Sequence, residues 1–224
     1  MPTLFVAGTG TNVGKTYVTA SLISGLRGAS VAVDALKPMV SGFDPDAPEG
    51  SDPAVLLEVL GRDWSAEALA EISPWRFRAP LSPPLAAARE GVRLSAEMVI
   101  AHCQDRAART PDGAWLLVES AGGIMSPLDD ELTMLDLAAA LGAPVLLVAG
   151  SYLGTISHTL TAAAVIEAAG LALAGVVVSE NTVDAPPLEE TVAAVASRLG
   201  RAPIATLRRE QAVSAALLAR LGMP

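Results

Sequence analysis

The sequence predicts an α/β fold, a mostly parallel β-sheet flanked by helices on both faces, formed by one domain over residues 1–224. Two observations carry the prediction. Segments of strand length and segments of helical period alternate along the whole chain, the arrangement that builds crossover units and parallel sheets. The strand segments are continuous apolar runs rather than one-in-two alternations, so both faces of each strand must be covered.

Residues 3–7, Thr-Leu-Phe-Val-Ala, are a β-branched and apolar run ended by Gly8, and read as a buried strand. Residues 15–27 have helical spacing, with Val18, Leu22, Ile23 and Leu26 on one side. Residues 31–36 form a second strand. Residues 42–53 are rich in Pro, Gly and Asp and form a loop. Asp52 and Pro53 then open a helix, the carboxylate as cap and the proline at the first helical position. Residues 73–84 carry Pro74, Pro80, Pro83 and Pro84, which exclude a regular helix and predict a surface loop. Residues 95–109 are helical, although Ser95 and Met98 do not complete a capping box. Residues 114–119 are an apolar strand ending in Glu119. A helix over 132–141 stops at Gly142, and a strand follows over 143–149. A helix over 155–169 stops at Gly170, and a strand follows over 173–179. A helix over 188–199 stops at Gly200, before a strand over 203–207 and a last helix over 210–221.

Of the 224 residues, 51% are apolar and 17% charged. That composition supports a sizeable core and argues against long disorder. The formal net charge of -9, with no cluster of Lys and Arg, excludes the electrostatic footprint of a nucleic-acid binder. Any anionic ligand must therefore be held by local geometry. The single cysteine, Cys103, permits no intrachain disulfide, in keeping with a reducing cytoplasm. Met1-Pro2-Thr3 leads into the first strand with no basic and cleavable apolar segment. The run at 143–149 falls far short of the about 20 residues that span a bilayer. A cytoplasmic location without membrane partners is the expectation.

Gly8-Thr9-Gly10-Thr11-Asn12-Val13-Gly14-Lys15-Thr16 follows a strand and opens a helix, the context of a phosphate-binding P-loop. Glycines let backbone N–H groups turn toward phosphate oxygens, and the helix N-terminus adds its positive end. Lys15 reaches the β- and γ-phosphates, and the Thr16 hydroxyl can ligate Mg²⁺. The spacing is a variant: five residues separate Gly8 from Gly14, and Thr9 holds the usual first position. Mg²⁺ on a triphosphate also needs carboxylates. Glu119, at the end of its strand and before Ser120-Ala121-Gly122-Gly123, is placed for that. From position alone, Asp52 serves equally well as a helix cap or as a metal ligand. Lys37, in Lys37-Pro38-Met39-Val40-Ser41-Gly42, ends the strand that follows the P-loop helix. An isolated strand-end lysine is usually solvated, but this one belongs near the P-loop, and a second cation beside a triphosphate suits group transfer.

These segments together resemble dethiobiotin synthases. The resemblance also takes in Gly50-Ser51-Asp52, Pro80-Leu81-Ser82-Pro83-Pro84, Val118 to Gly123, and Leu153-Gly154-Thr155-Ile156-Ser157-His158. It implies a P-loop NTPase-like domain and a homodimer that joins CO2 to 7,8-diaminopelargonic acid with ATP and Mg²⁺. It implies Thr16, Asp52 and Glu119 as metal ligands, with Lys37 and Lys15 as the catalytic lysines at the carbamate. The implied nucleotide set is Thr11, Asn12, Val13, Gly14, Lys15, Thr16, Tyr17, Asp52, Glu119, Gly122, Ser179 and Asn181. The implied substrate set is Lys37, Ser41, Gly154, Thr155 and Ser157. The last three open a helix whose free N–H groups suit a carboxylate, contributed in the family by the neighbouring subunit. The chain departs from the family at Asn12, where relatives often carry an acidic residue, and at Tyr152, where some carry lysine. Ser179 stands where an adenine-reading asparagine is expected, with Asn181 two residues on.

Two rival readings stand beside this one. A partition- or cell-division-type switch ATPase shares the fold and acts through a protein partner, but carries an extra lysine where this chain has Gly10. A serine hydrolase needs glycine two positions before its nucleophile, and Val118 precedes Ser120 there.

Overall fold

In a computed structural model the chain is described over residues 2–180, 186–200, 204–208, 218–219 and 221–224. The elements, in chain order, begin with β1 (Thr3–Gly8), α1 (Lys15–Gly28), β2 (Val33–Leu36), β3 (Met39–Ser41), α2 (Asp52–Leu60) and α3 (Ala66–Ile72). They continue with β4 (Trp75–Phe77), α4 (Pro83–Arg89), α5 (Ala96–Arg109), β5 (Trp115–Gly123) and α6 (Met134–Leu141). The last are β6 (Val145–Gly150), α7 (Thr155–Ala168), β7 (Leu173–Ser179), α8 (Leu188–Leu199) and β8 (Ile204–Leu207).

Six strands form one sheet in the order β2-β5-β1-β6-β7-β8, and every pairing in it is parallel. The continuous apolar runs have the reason expected. Phe5, Leu116, Val118, Val145 and Leu147 enter one buried layer, beside Val99 and Cys103 of α5, Leu137 of α6 and Ile166 of α7. Leu4, Val6, Leu117, Leu146 and Val148 enter the other, beside Val18, Leu22 and Ile23 of α1, Leu56 and Leu57 of α2 and Ile72 of α3. Neighbouring residues of each strand thus feed opposite cores, as a period of two requires. Helix α1, after β1, lies on one face, while α7, after the adjacent β6, lies on the other. The chain therefore reverses its winding beside β1, and the crevice beyond the carboxyl ends there is the natural ligand site of such a sheet.

Some boundaries differ from expectation. The second strand begins at Val33 rather than at 31, the helix at 132–141 begins at Met134 with Thr133 as cap, and β5 runs on through Gly123. Residues 73–84 are not only loop. Trp75–Phe77 pairs in parallel with Met39–Ser41 as a separate two-stranded ribbon, and Pro83 starts α4. Prolines at the first helical turn begin a helix rather than forbid it, because those N–H groups have no intrahelical partner. The cap of α2 is Ser51, whose side chain accepts from the Ala54 N–H. Asp52 is the first helical residue, and its carboxylate is left for other partners. The expected helix over 210–221 falls mostly outside the described residues, as does Asn181. Among the described residues no helix is long and apolar enough to cross a membrane.

Candidate active site

The glycine-rich turn lies between the carboxyl ends of β1, β5 and β6. Thr9 N–H donates to the Val148 carbonyl at 2.9 Å, and Ile124 N–H to the Gly8 carbonyl at 2.9 Å. Val13 tucks into the core beneath α1, while Thr11 and Asn12 face outward, Asn12 with a left-handed φ of 57°. Gly14 caps α1 at a φ of 92°. A Cβ there would meet the Ser179 Oγ at 2.5 Å, so glycine is demanded by conformation and by space. The first turn of α1 holds no acidic residue, which leaves its positive end uncompensated and facing the crevice. Lys15 is buried and curls back over the turn, its Nζ donating to the Gly10 carbonyl at 3.0 Å. Thr16 and Tyr17 follow on the same rim, the Tyr17 hydroxyl bonding the Arg208 carbonyl at 3.1 Å.

Four of the sequence-selected groups converge beside this turn. Glu119 is wholly buried at the sheet's centre, on the strand paired with β1. Its Oε1 accepts from Lys37 Nζ at 2.6 Å and from the Thr16 hydroxyl at 2.7 Å. Lys37, on the strand edge one strand over, also meets Asp52 Oδ2 at 2.6 Å. Burial disfavours charge on Lys37, but Glu119 and then Asp52 outweigh it and hold its pKa above the ordinary lysine value. Burial likewise works to raise the Asp52 carboxyl, yet Lys37, with help from Thr16 and Lys15, keeps it below the usual carboxylate range. Lys15 has no such contact partner. Burial first, and then repulsion from Lys37, bring it down to about 8 against the pull of Glu119 and Asp52.

The residues present suit a triphosphate with a hard divalent cation. The second oxygen of Glu119, Oε2, is buried and has no hydrogen-bond partner among the described residues. With Asp52 and the Thr16 hydroxyl it offers the oxygen-only donors that Mg²⁺ prefers. Among the described residues no group of three or more His, Cys, Asp or Glu is placed to hold a metal. A site with two carboxylates completes its shell from phosphate and water.

A cavity of about 850 Å³ opens from this cluster toward the β3–β4 ribbon. Thr11, Lys15, Lys37, Ser41, Asp52, Gly122 and Ser126 line it. The Ser41 hydroxyl is buried and has no hydrogen-bond partner among the described residues. Gly122, at a φ of 73°, has room for no Cβ because the Ser126 Oγ would lie 2.3 Å away. That closeness lets Ser126 accept from the Gly123 N–H at 2.8 Å and fix the turn after β5. Ser126 escaped the sequence reading, since a lone serine three residues past a glycine carries no signal. The wall formed by Pro80, Leu81, Ser82 and Pro83 lies in a segment that the resemblance includes but assigns no role.

The remaining expected residues lie elsewhere. Ser179 is nearly buried and packs against Gly14. Gly154, Thr155 and Ser157 begin α7 and do not line the cavity of their own chain. Gly154 is the cap, with a φ of 100° and no side-chain cap bond, and the buried Thr155 hydroxyl has no partner among the described residues. His158 Nδ1 meets the Tyr152 hydroxyl at 2.8 Å. The hydrolase reading fails on geometry: Ser120 is buried and donates to the Gly122 carbonyl, and of the chain's two histidines His158 is held by Tyr152 while His102 stacks edge-on against Trp75. Trp75 and Trp115 pack against the cores and Cys103 lies within one, whereas Trp64 is 44% exposed.

A strand, a glycine-rich turn and a helix, with a lysine and a hydroxyl at the helix start, define a P-loop nucleotide-binding protein. In agreement, the model of a family described as "AAA domain" matches residues 2–216. The chloroplast FtsY of Physcomitrella patens aligns with a TM-score of 0.50 at 16% identity, over 98% of this chain. The chain spans 64% of that protein, and the likeness shows the fold alone. Much nearer in sequence is the ATP-dependent dethiobiotin synthetase BioD of Caulobacter vibrioides strain NA1000 / CB15N. It is 54% identical over 192 residues, covering 86% of this chain and 85% of the relative. The same-named protein of Caulobacter sp. strain K31 is 52% identical over 219 residues, covering 98% and 93%. The chain belongs to the ATP-dependent dethiobiotin synthetase family.

Proposed function

We propose that this chain is an ATP-dependent dethiobiotin synthetase, a ligase of biotin biosynthesis that closes the ureido ring of 7,8-diaminopelargonic acid with CO2. One observation carries the reading: two buried lysines, Lys15 and Lys37, flank a hydroxyl and two carboxylates at the mouth of a cavity with polar and apolar walls. A nucleotide switch of the rival kind would carry its extra lysine within the phosphate loop, where this chain has Gly10, and not at the end of a neighbouring strand. A second cation is needed when two anions must be brought together.

The chemistry follows from that need. One substrate amine takes up CO2 as a carbamate, whose anionic oxygen makes its carbon a poor electrophile. Transfer of the γ-phosphoryl group of ATP to that oxygen gives a carbamic-phosphoric anhydride and ADP. The second amine then attacks the carbonyl carbon, the C–O bond to phosphate breaks, and the ring closes with release of phosphate and protons. Carbamate and γ-phosphate repel, and fixed positive charge offsets that repulsion best where water is excluded. Lys15 serves the phosphates and the carbamate, and Lys37 holds the carbamate. The buried hydroxyl of Ser41 contacts the substrate. Backbone groups of Thr11 to Tyr17, with Gly122, cradle the triphosphate, and Ser179 supports the turn from below. Thr16, Asp52 and Glu119 hold Mg²⁺, which when bound neutralises charge developing on the transferred group.

Three further readings belong to this proposal. The whole chain acts as one domain. The start of α7, with Gly154, Thr155 and Ser157, serves the substrate carboxylate of a neighbouring copy in a homodimer. The reaction takes place in the cytoplasm, in keeping with a lone buried cysteine that needs no disulfide partner.

The test is ADP release from ATP and Mg²⁺ with and without the diamine and bicarbonate. Release should require both. Lys37→Ala should lower the diamine-dependent rate by on the order of 10²–10³-fold, the scale of one lost transition-state charge contact. Equal ADP release without the diamine would contradict the synthetase reading and favour the switch ATPase.

A further inference from the structure

We infer that Lys37 is an exchangeable counter-ion of the metal carboxylates: it holds Asp52 and Glu119 by its ammonium group, and a divalent cation entering between them releases it toward the cavity. The inference rests on the proposed metal site and concerns the order of events there.

The geometry makes the two cations rivals. Lys37 Nζ lies 2.6 Å from Asp52 Oδ2 and 2.6 Å from Glu119 Oε1. It therefore bridges two of the three groups that Mg²⁺ would use. The third, the Thr16 hydroxyl, donates to the same Glu119 oxygen at 2.7 Å, so that oxygen is fully engaged. A metal ion needs oxygen contacts of about 2.0–2.1 Å, and a unit charge already seated on the same oxygens opposes it in a poorly solvated site. Glu119 Oε2 is buried and unpartnered among the described residues, which gives an incoming ion a first foothold, and Asp52, with its side chain 40% exposed, opens a route from the cavity.

Sequence explains why release leads somewhere useful. Lys37 is 4% exposed, and its backbone N–H is tied to the Ile72 carbonyl at 3.0 Å. The stem is thus anchored while the four-carbon arm can swing, and lysine's compact ammonium suits re-pairing. Lys37 itself lines the cavity, together with Ser41 and Gly42 a few residues further along the chain. Displaced from the carboxylates, the ammonium would find its next anion there. The site would then become attractive to a carbamate only after the metal has arrived, which orders the two binding events without any movement of the fold.

Binding of Mn²⁺ alone, in the absence of nucleotide and diamine, tests this by electron paramagnetic resonance. Lys37→Met should bind Mn²⁺ at least roughly tenfold more tightly than wild type, the scale of one partly screened charge–charge contact removed. Lys37→Arg, which keeps the charge, should show no such gain. Equal affinity in wild type and Lys37→Met overturns the inference while leaving the metal site standing. No Mn²⁺ bound by any form, even with ATP present, removes the metal site and the inference with it. Should Lys37→Met fail to fold, the wild-type chain labelled with ¹⁵N-lysine gives a second reading. The Lys37 ammonium resonance should shift and exchange faster with solvent as Mg²⁺ alone is added, and an unmoved resonance at saturating metal overturns the inference.

Discussion

Gly14 shows how much a single position can be asked to do. Its φ of 92° points the N–H groups that follow it into the turn, and the place of its missing side chain is taken by Ser179. Gly14→Ala should therefore suffer twice, from left-handed strain of about 1–2 kcal/mol and from a Cβ 2.5 Å from the Ser179 oxygen. Nucleotide affinity should fall together with melting temperature, measured by calorimetry and thermal denaturation. Adding Ser179→Ala should recover part of the stability, because Cβ of residue 179 would still lie about 3.0 Å away. Unchanged melting of Gly14→Ala would show that the turn is softer than this packing implies. The same pair marks what single residues disclose in sequence. Lys37 and Glu119 were legible because each ends an apolar run, where a parallel sheet delivers its chemistry. Asp52 was not decided by position, and only the capping bond of Ser51 frees its carboxylate for Lys37. Ser179 was legible as a strand end, but its contact with Gly14 joins residues 165 apart in the chain and leaves no local trace.

At the scale of elements, the long strands and helices were readable because burial of both sheet faces writes itself into continuous apolar runs. The β3–β4 ribbon was not. Each of its strands has three residues, too few for any period, and prolines flank them. Yet the first strand of this ribbon, with Gly42 after it, lines the cavity. Gly42 N–H donates to the Ala79 carbonyl and Phe43 N–H to the Phe77 carbonyl, at 3.1 and 2.9 Å. Phe43 closes a small core with Val40 and Leu69, and Arg76 stacks over its ring at 5.9 Å from the centroid. This cluster anchors the residues on either side of Ser41. Phe43→Ala should cost about 3 kcal/mol in stability as a buried aromatic is lost. It should also raise KM for the diamine severalfold while KM for ATP changes little, because the P-loop packs on a separate core. Equal effects on both constants in steady-state kinetics would argue that the ribbon supports the whole site rather than one wall.

The whole molecule sets the last constraint, one that no single element carries. Insertion of β5 between β2 and β1 brings Lys37, Glu119 and the P-loop onto one edge of the sheet, although they are far apart in sequence. The start of α7 stands apart from that cluster. It follows β6, on the far side of β1 from β5, and its residues do not line the cavity. Leu153, immediately before its cap, is 93% exposed. The first turn has no acidic residue and no side-chain cap, and although the Thr155 N–H is taken by the Tyr152 carbonyl at 3.1 Å, the positive end of the helix stands next to a large exposed apolar side chain. An apolar contact next to an anion-seeking helix end suits docking onto a second copy, where the N–H groups could meet the substrate carboxylate. Leu153→Asp should weaken the proposed dimer, placing charge where apolar surface would be buried. In sedimentation velocity the wild type should run as that dimer and the variant as a monomer at the same concentration. Diamine KM should rise by roughly tenfold or more, in step with the loss of one anion contact, while Mg·ATP affinity measured without diamine stays within about twofold, inside the ordinary scatter of a surface change. A variant that remains dimeric with normal diamine KM would separate α7 from the substrate site. A monomer with normal diamine KM would show instead that each chain completes its own.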